Sequence, residues 1–327
     1  MTDSKIVFNQ KSFQNELTCS ICLPVFNEEE CLEKFLENLF LHIDFCTKQY
    51  NLTFNVIAVD DGSTDSTLEI LQSYRKHEKR LALYSFEQNT GHQAAIICAM
   101  SHSKADLIIT MDSDGQDPPE SISKFLNTFF ETGKEIIVAK RQTRKDGLIK
   151  KYTAWLFYRL IIMLGLPAAS KDAGDFRLIT KRVNKMLLEQ PKSLQYIRGQ
   201  IFMLRIDVKI IKVDRKERIA GRTKYSLSKM IRLGISSAFV IDPFKVAQLY
   251  VGISLIFSLF SLLCGTVFFI LKILKPTYYA SGITTLALLF LVLFTIIISM
   301  IAFQSLYISI LFRSLRNEPI YLERKLD

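Results

Sequence analysis

Asp60-Asp61-Gly62-Ser63-Thr64-Asp65 and Asp112-Ser113-Asp114-Gly115-Gln116-Asp117 are two carboxylate clusters, each directly following a short apolar run, Asn55–Val59 and Leu107–Met111. Acidic side chains at the C-terminal ends of strands in an open α/β sheet stand where such sheets bind ligands. An Asp-x-Asp pair in a loop suits a hard divalent cation held against phosphate oxygens. This spacing therefore offers metal-assisted handling of a phosphorylated substrate, with Asp112 and Asp114 as the metal ligands. A third acid, Asp175, lies in Gly174-Asp175-Phe176-Arg177. Arg177 either pairs with it or grips phosphate, as a planar guanidinium can. Read alone, the first cluster is equally well explained as a solvated turn and helix cap, with Asp60 and Asp65 shaping the turn through Asx-type hydrogen bonds.

These side chains need strands to carry them. Thr18–Val25, Phe54–Val59, Leu81–Phe86, Asp106–Met111 and Glu135–Ala139 read as five strands. Between them, Leu32, Phe35, Leu36 and Leu39 recur at helical spacing, and Ser66–Lys76, Gly91–His102 and a segment opening at Pro118-Pro119-Glu120 read as further helices. Asn27 is expected to cap the first helix, with Glu28, Glu29 and Glu30 favourably placed at its N-terminus. Alternating strands and helices predict an α/β domain with a mostly parallel central sheet and helices on both faces. No G-x-G-x-x-G follows the first strand and no G-x-x-x-x-G-K-[ST] occurs, which leaves a dinucleotide fold or a P-loop NTPase without support.

The chain has 327 residues, a formal net charge of +10 and a pI of about 9.2. That balance invites a nucleic-acid partner, but none is expected, because the basic residues thicken in one place. Lys209, Lys212, Arg215, Lys216, Arg218, Arg222, Lys224, Lys229 and Arg232 crowd ahead of the apolar C-terminal part. Anionic lipid headgroups or phosphates suit that placement. Cys19 and Cys22 form a C-x-x-C, but strand alternation points them to opposite faces, and no second pair completes a zinc site. The six scattered cysteines are expected to be reduced, packed thiols in the cytoplasm. Met1–Leu17 is polar and lacks the apolar core of a cleavable signal.

Val246–Leu271 carries no charge, and a second uncharged stretch is densely apolar from Ile283 to Phe312. Each exceeds the roughly 20 residues needed to cross a hydrocarbon core, so two transmembrane helices are predicted. Arg313, Arg316, Arg324 and Lys325 follow the second run, which by the positive-inside bias puts both the large N-terminal part and the C-terminal tail in the cytoplasm. Tyr152–Leu166 and Met230–Lys245 mix cations with apolar residues as interfacial helices do, although a buried helix explains the first equally well. The expected organisation is an N-terminal extension (1–17), a cytoplasmic catalytic domain (18–229), a juxtamembrane interfacial helix (230–245), two transmembrane helices (246–312) and a cytoplasmic tail (313–327). Small residues on the two spans leave room for a homo-oligomer.

Pro24-Val-Phe-Asn-Glu-Glu, Val59-Asp-Asp-Gly-Ser-Thr-Asp, Asn89-Thr-Gly-His-Gln-Ala-Ala and Asp112-Ser-Asp-Gly-Gln-Asp-Pro-Pro-Glu resemble family 2 glycosyltransferases of the GT-A fold. Asp172-Ala-Gly-Asp-Phe-Arg-Leu, Gly221-Arg-Thr-Lys-Tyr and the two apolar segments narrow the resemblance to polyprenyl-phosphate glycosyltransferases, the bactoprenol glucosyltransferases and dolichol-phosphate mannose synthases. The resemblance implies that Pro24, Phe26, Glu28 and Asp61 line the nucleobase and ribose pocket. Asp112, Gln116 and Arg141 would serve the diphosphate or sugar, and Asp112 and Asp114 would hold Mg²⁺ or Mn²⁺. Asp175 would stand beside the acceptor as base or positioning group, with Asp172 as runner-up and Arg177 next to it. Arg218, Arg222, Lys224 and Tyr225 are candidate ligands of the acceptor phosphate, although a generic basic juxtamembrane patch explains most of them as well.

The activity implied by the resemblance is inverting transfer of one sugar from a UDP- or GDP-sugar to a polyprenyl phosphate, expected to be undecaprenyl phosphate, at the cytoplasmic membrane face. The processive synthases of the family carry Gln-x-x-Arg-Trp. Here Gln195-Tyr-Ile-Arg198 is followed by Gly199, which favours single-sugar transfer. The alternatives are a lipid, glycan or protein acceptor, or a catalytically silent membrane scaffold of the same fold. The identity of the sugar is not legible, since a shared fold does not choose among hydroxyl patterns.

Overall fold

The structure, a computed structural model, describes residues 17–141, 173–190, 197–214 and 323–324, together with separate positions between 252 and 311. Its frame is a seven-stranded sheet: β1 (Leu17–Val25), β2 (Leu52–Asp60), β3 (Leu81–Ser85), β4 (Leu107–Thr110), β5 (Ile136–Arg141), β6 (Ala173–Thr180) and β7 (Val208–Val213). The strand order is β3-β2-β1-β4-β6-β5-β7. β1 pairs in parallel with both β2 and β4, β2 with β3 and β5 with β7, while β6 runs antiparallel between β4 and β5. The mostly parallel α/β sheet expected from the alternating pattern is present.

Among the described residues, six α-helices sandwich the sheet: α1 (Leu32–Tyr50), α2 (Thr67–His77), α3 (His92–His102), α4 (Ile122–Thr132), α5 (Lys181–Leu188) and α6 (Ile197–Met203). One apolar cluster joins α1, α2 and α4 to one face of the sheet, through residues such as Leu36, Leu71 and Phe125 against Ile21, Leu23 and Val56. The other joins α3, α5 and α6 to the opposite face, through Ala95, Val183 and Ile201 against Ile57, Ile108 and Val138. Burying both faces removes apolar surface from water at roughly 25 cal/mol per Å², the dominant favourable term in holding such layers together. α3 is built almost wholly of buried small and aliphatic residues, Ala94 to Met100, which lets its backbone lie close to β1 and β2.

Cys19 packs in the first cluster and Cys22 in the second, so the C-x-x-C straddles the sheet as strand alternation requires. Burial pushes both thiols up in pKa, Cys22 with a further rise from Cys98, so neither forms a reactive thiolate.

One expectation is corrected. Asn27 does not cap α1: the helix starts at Leu32, with Cys31 in the cap position. Asn27 instead takes a left-handed φ of 53° and clasps the loop after β2, its N–H donating to Ser63 Oγ at 3.0 Å and its Oδ1 accepting from Thr64 N–H at 2.9 Å. Two of the basic residues ahead of the apolar part, Lys209 and Lys212, have a place in the sheet. They lie on β7, an edge strand, where exposed lysines discourage edge-to-edge pairing.

The expected interfacial segments (152–166 and 230–245) lie outside the described residues, and the expected transmembrane segments do so for the most part. Among the described residues no helix is long and apolar enough to cross a membrane.

Candidate active site

β1 is the point where the parallel strand order reverses, with β2 on one side and β4 on the other. The crevice beyond the C-terminal ends of such strands is the ligand position of open α/β sheets. Both acidic clusters emerge there, and because β6 is antiparallel its N-terminal end arrives at the same edge. Thr110, the last residue of β4, sits in register with Arg177, and its hydroxyl donates to the Asp175 carbonyl. Asp175 is thereby carried beside the loop that holds Asp112 and Asp114.

The first cluster divides its labour. Asp60, 1% exposed, accepts from Ser85 Oγ at 2.8 Å and from Ser63 N–H at 3.1 Å, closing the turn. Asp65 accepts from Thr67 N–H at 3.1 Å and Glu29 N–H at 3.3 Å. Both are the turn-shaping carboxylates their spacing suggested. Asp61 is also buried, and its carboxylate accepts from Thr90 N–H at 2.8 Å, Gly91 N–H at 3.0 Å and Asn89 Nδ2 at 3.0 Å. Burial raises its pKa, and the Thr90 and Gly91 amides pull it back. Asp61 therefore fastens the Asn89-Thr90-Gly91 loop to the end of β2. Gly62 permits this closeness: its φ is +66°, and a Cβ there would lie 2.5 Å from the Gln88 carbonyl carbon. Pro24, at the end of β1, and Phe26 and Glu28, on the segment leaving it, lie beside this turn, with Pro24 buried and the other two half-buried. Glu28 N–H donates to Thr67 Oγ1 at 2.9 Å.

The second cluster is tied inward. Ser113 Oγ donates to the Pro24 carbonyl at 2.9 Å, and Asp112 N–H donates to the fully buried Asp117 at 3.1 Å. Asp114, 7% exposed, accepts from Gln116 N–H at 3.0 Å. The loop thus presents two carboxylates on a constrained turn. Their oxygen donors fit a hard divalent cation.

Asp175 is the electrostatic centre. Its side chain is 3% exposed and is gripped by Arg177 Nη2 at 2.6 Å on Oδ1 and by Arg198 Nη2 on Oδ2. His92 Nε2 lies 3.4 Å from Asp175 Oδ2 and 3.4 Å from Asp112 Oδ1, spanning the two acids. Burial alone would raise the Asp175 pKa, but Arg198, His92 and Arg177 hold it well below the usual carboxylate range. For His92 burial opposes protonation, yet the hydrogen bond to Asp175 and the charge of Asp112 raise its pKa on balance.

Of the two roles considered for Arg177, the structure shows the pairing one: at 1% exposure its guanidinium is enclosed and supports Asp175 from below. Arg141 ends β5 at the same sheet edge. Asp172, Arg218, Arg222, Lys224 and Tyr225 lie outside the described residues. Two members of the site carry no assigned role in the sequence reading: His92, inside the quoted Asn89–Ala95 motif, and Arg198, inside Gln195-Tyr-Ile-Arg198. Arg198 is legible there only as part of a missing Arg-Trp pair, and its approach to Asp175 depends on where α6 packs.

The strand ends thus unite an Asp-x-Asp loop, a carboxylate-bound turn and a third acid, an arrangement that fits a metal-assisted transferase acting on a phosphorylated donor. The glycosyl transferase family 2 model matches residues 20–204, and the chain belongs to that family. It is 31% identical over 314 residues to the uncharacterized glycosyltransferase YkcC of Bacillus subtilis, covering 94% of this chain and 93% of that protein. It is 30% identical over 237 residues to a prophage bactoprenol glucosyl transferase homolog of Escherichia coli, covering 72% of this chain and 76% of the other. Among solved structures it shares its fold with glucosyl-3-phosphoglycerate synthase of Mycobacterium tuberculosis, crystallised with Mn²⁺, UDP and phosphoglyceric acid. That match has a TM-score of 0.50 at 17% identity and covers 68% of this chain and 78% of the other. The protein is a glycosyltransferase with a GT-A fold.

Proposed function

We propose that this glycosyltransferase moves a single sugar from a UDP- or GDP-sugar to a polyprenyl phosphate at the membrane surface. The observation that carries the reading is the convergence of Asp112 and Asp114 with Asp175 at one sheet edge, bridged by His92. The similarity to bactoprenol glucosyl transferases supports the lipid phosphate acceptor.

In this reading the donor base and ribose lie over Pro24, Phe26, Glu28 and the Asp61 turn, and Asp112 and Asp114 hold Mg²⁺ or Mn²⁺. A divalent ion held by these two carboxylates would neutralise charge on the departing nucleoside diphosphate. An acceptor phosphate oxygen attacks the anomeric carbon as the diphosphate leaves, inverting configuration in one displacement. Asp175, held ionised by its two arginines, is too weak a base to be needed for an acceptor that is already an anion. It orients His92 and Arg198 instead. Arg198, with 37% of its side chain exposed, is the cation that faces the incoming phosphate.

The membrane part of the reading rests on the described positions between 256 and 311. They include eighteen large apolar side chains that are exposed, among them Phe260, Leu263, Phe290 and Phe294. Large apolar side chains exposed in this number seek lipid or a partner. Glu323, beyond both apolar segments, pairs with Phe86, just past β3 of the catalytic domain, which supports a tail and a catalytic domain on one side of the bilayer. We assign that side to the cytoplasm.

Asp114→Asn should lower transfer on the order of 10²- to 10³-fold, the usual scale for losing charge stabilisation at a leaving group, while the folded domain persists. Near-normal turnover of this variant would contradict the metal role.

A further inference from the structure

The C-terminal end of the chain returns to the sheet. Glu323 forms an antiparallel bridge with Phe86, just past β3, and Arg324 N–H donates to the Ser85 carbonyl at 2.6 Å. The bridge lays the Glu323 carboxylate over α3. There Oε1 lies 2.8 Å from His102 Nε2 and 3.7 Å from Cys98 Sγ. Cys98 and His102 are four residues apart on α3, so they share one face on successive turns. Thiol, imidazole and carboxylate thus converge from two parts of the chain, with their donor atoms within 4.8 Å of one another.

This donor set has the geometry of a metal site. With zinc–sulfur bonds near 2.3 Å and zinc–nitrogen and zinc–oxygen bonds near 2.0–2.1 Å, tetrahedral ligands sit roughly 3.3–3.7 Å apart. The sulfur–oxygen pair is already at that spacing, and the nitrogen–oxygen pair needs to open by about half an ångström. Cys98 is fully buried and forms the floor, while His102 and Glu323 are 31% and 37% exposed and leave an entry path from solvent. Tyr84 stacks on the His102 ring at 3.8 Å and restrains its orientation.

We propose that Cys98, His102 and Glu323 form a zinc site that clasps the C-terminal tail to the edge of the catalytic sheet. A thiolate–imidazole–carboxylate set suits zinc, whereas Mg²⁺ favours an all-oxygen shell such as that of the Asp112–Asp114 loop. Binding displaces the thiol proton, and water fills the fourth position. The clasp covers the C-terminal end of β3, at Ser85 and Phe86. It also sits next to the donor turn, because Ser85, which receives Arg324 N–H, donates its own hydroxyl to Asp60.

The test uses the full chain in detergent, stripped of metal and titrated with Co²⁺, then with Zn²⁺ in competition. The expected result is a near-ultraviolet thiolate-to-cobalt band at one equivalent, displaced by Zn²⁺. Asp114→Asn retains the band, Cys98→Ser loses it, and His102→Ala weakens Zn²⁺ binding by at least the roughly 10- to 100-fold typical of losing an outer-shell partner. Protease protection of the tail should rise with Zn²⁺ in the wild type and in Asp114→Asn, and not in Cys98→Ser. Absence of the band in folded wild-type protein, or Zn²⁺ affinity unchanged in His102→Ala, overturns the proposal.

Discussion

At the scale of single residues, the site is organised around one buried carboxylate with two guanidinium partners. A buried ion pair is a weak stabiliser overall but a strong constraint, because removing one member strands the other away from water. Asp175 gains its depressed pKa from Arg198, His92 and Arg177 against the opposing cost of burial. A depressed carboxylate contributes stability that is complete above about pH 4, the ordinary value of an unfolded aspartate, and that drains away as pH falls through the lower folded value. Denaturation in detergent between pH 3 and 7 should therefore show an acid-side loss in the wild type that is smaller in Asp175→Asn. That variant should also be less stable at pH 7. The two arginines separate in function. Arg198→Ala should cost roughly 10- to 100-fold in kcat/KM, the worth of one charge-assisted hydrogen bond, with the acceptor KM moving more than the donor KM. An effect confined to the donor KM would place Arg198 on the nucleotide instead.

At the scale of elements, the turn after β2 shows how backbone conformation sets the pocket. Gly62 holds a φ of +66° against the Gln88 and Asn89 backbone, and Asp61 bonds the same loop. Gly62→Ala should cost at least about 1–3 kcal/mol in stability from strain, more because the loop must also move, and should raise the donor KM as that loop shifts. A variant with wild-type melting temperature and donor KM would contradict the close approach.

The elements legible in the sequence are those with local signals. Apolar runs mark β1, β2, β3, β4 and β5, and the periodicity of Leu32, Phe35, Leu36 and Leu39 marks α1. β6 and β7 lack such a signal. β6 owes its place to antiparallel pairing with β4 and β5, far away in sequence, and β7 reads as a basic stretch because its lysines face outward. For the same reason Asp112, Asp114 and Asp175 stand out by type and spacing, whereas His92 and Arg198 acquire meaning only once α3 and α6 are docked. Asn27 looks like a helix cap by letter alone. Its left-handed backbone turns it toward the Ser63–Thr64 loop.

At the scale of the whole molecule, the proposed reading has a basic chain with an α/β catalytic sheet and an apolar C-terminal part bring a nucleotide-sugar site to a lipid surface. The strand order places every acid of the site at one sheet edge, and the returning tail closes the opposite end of the chain onto β3. Such an arrangement suits a water-soluble donor and an acceptor whose phosphate lies at the bilayer surface.

The most direct measurement is transfer of radiolabelled sugar by the purified protein, from a panel of UDP- and GDP-sugars, to undecaprenyl phosphate, with and without Mg²⁺ or Mn²⁺. Label entering the organic phase from one donor, only with lipid phosphate and metal present, is the predicted result. Metal-dependent transfer of label to a protein or glycan acceptor, with none to the lipid phosphate, would contradict it.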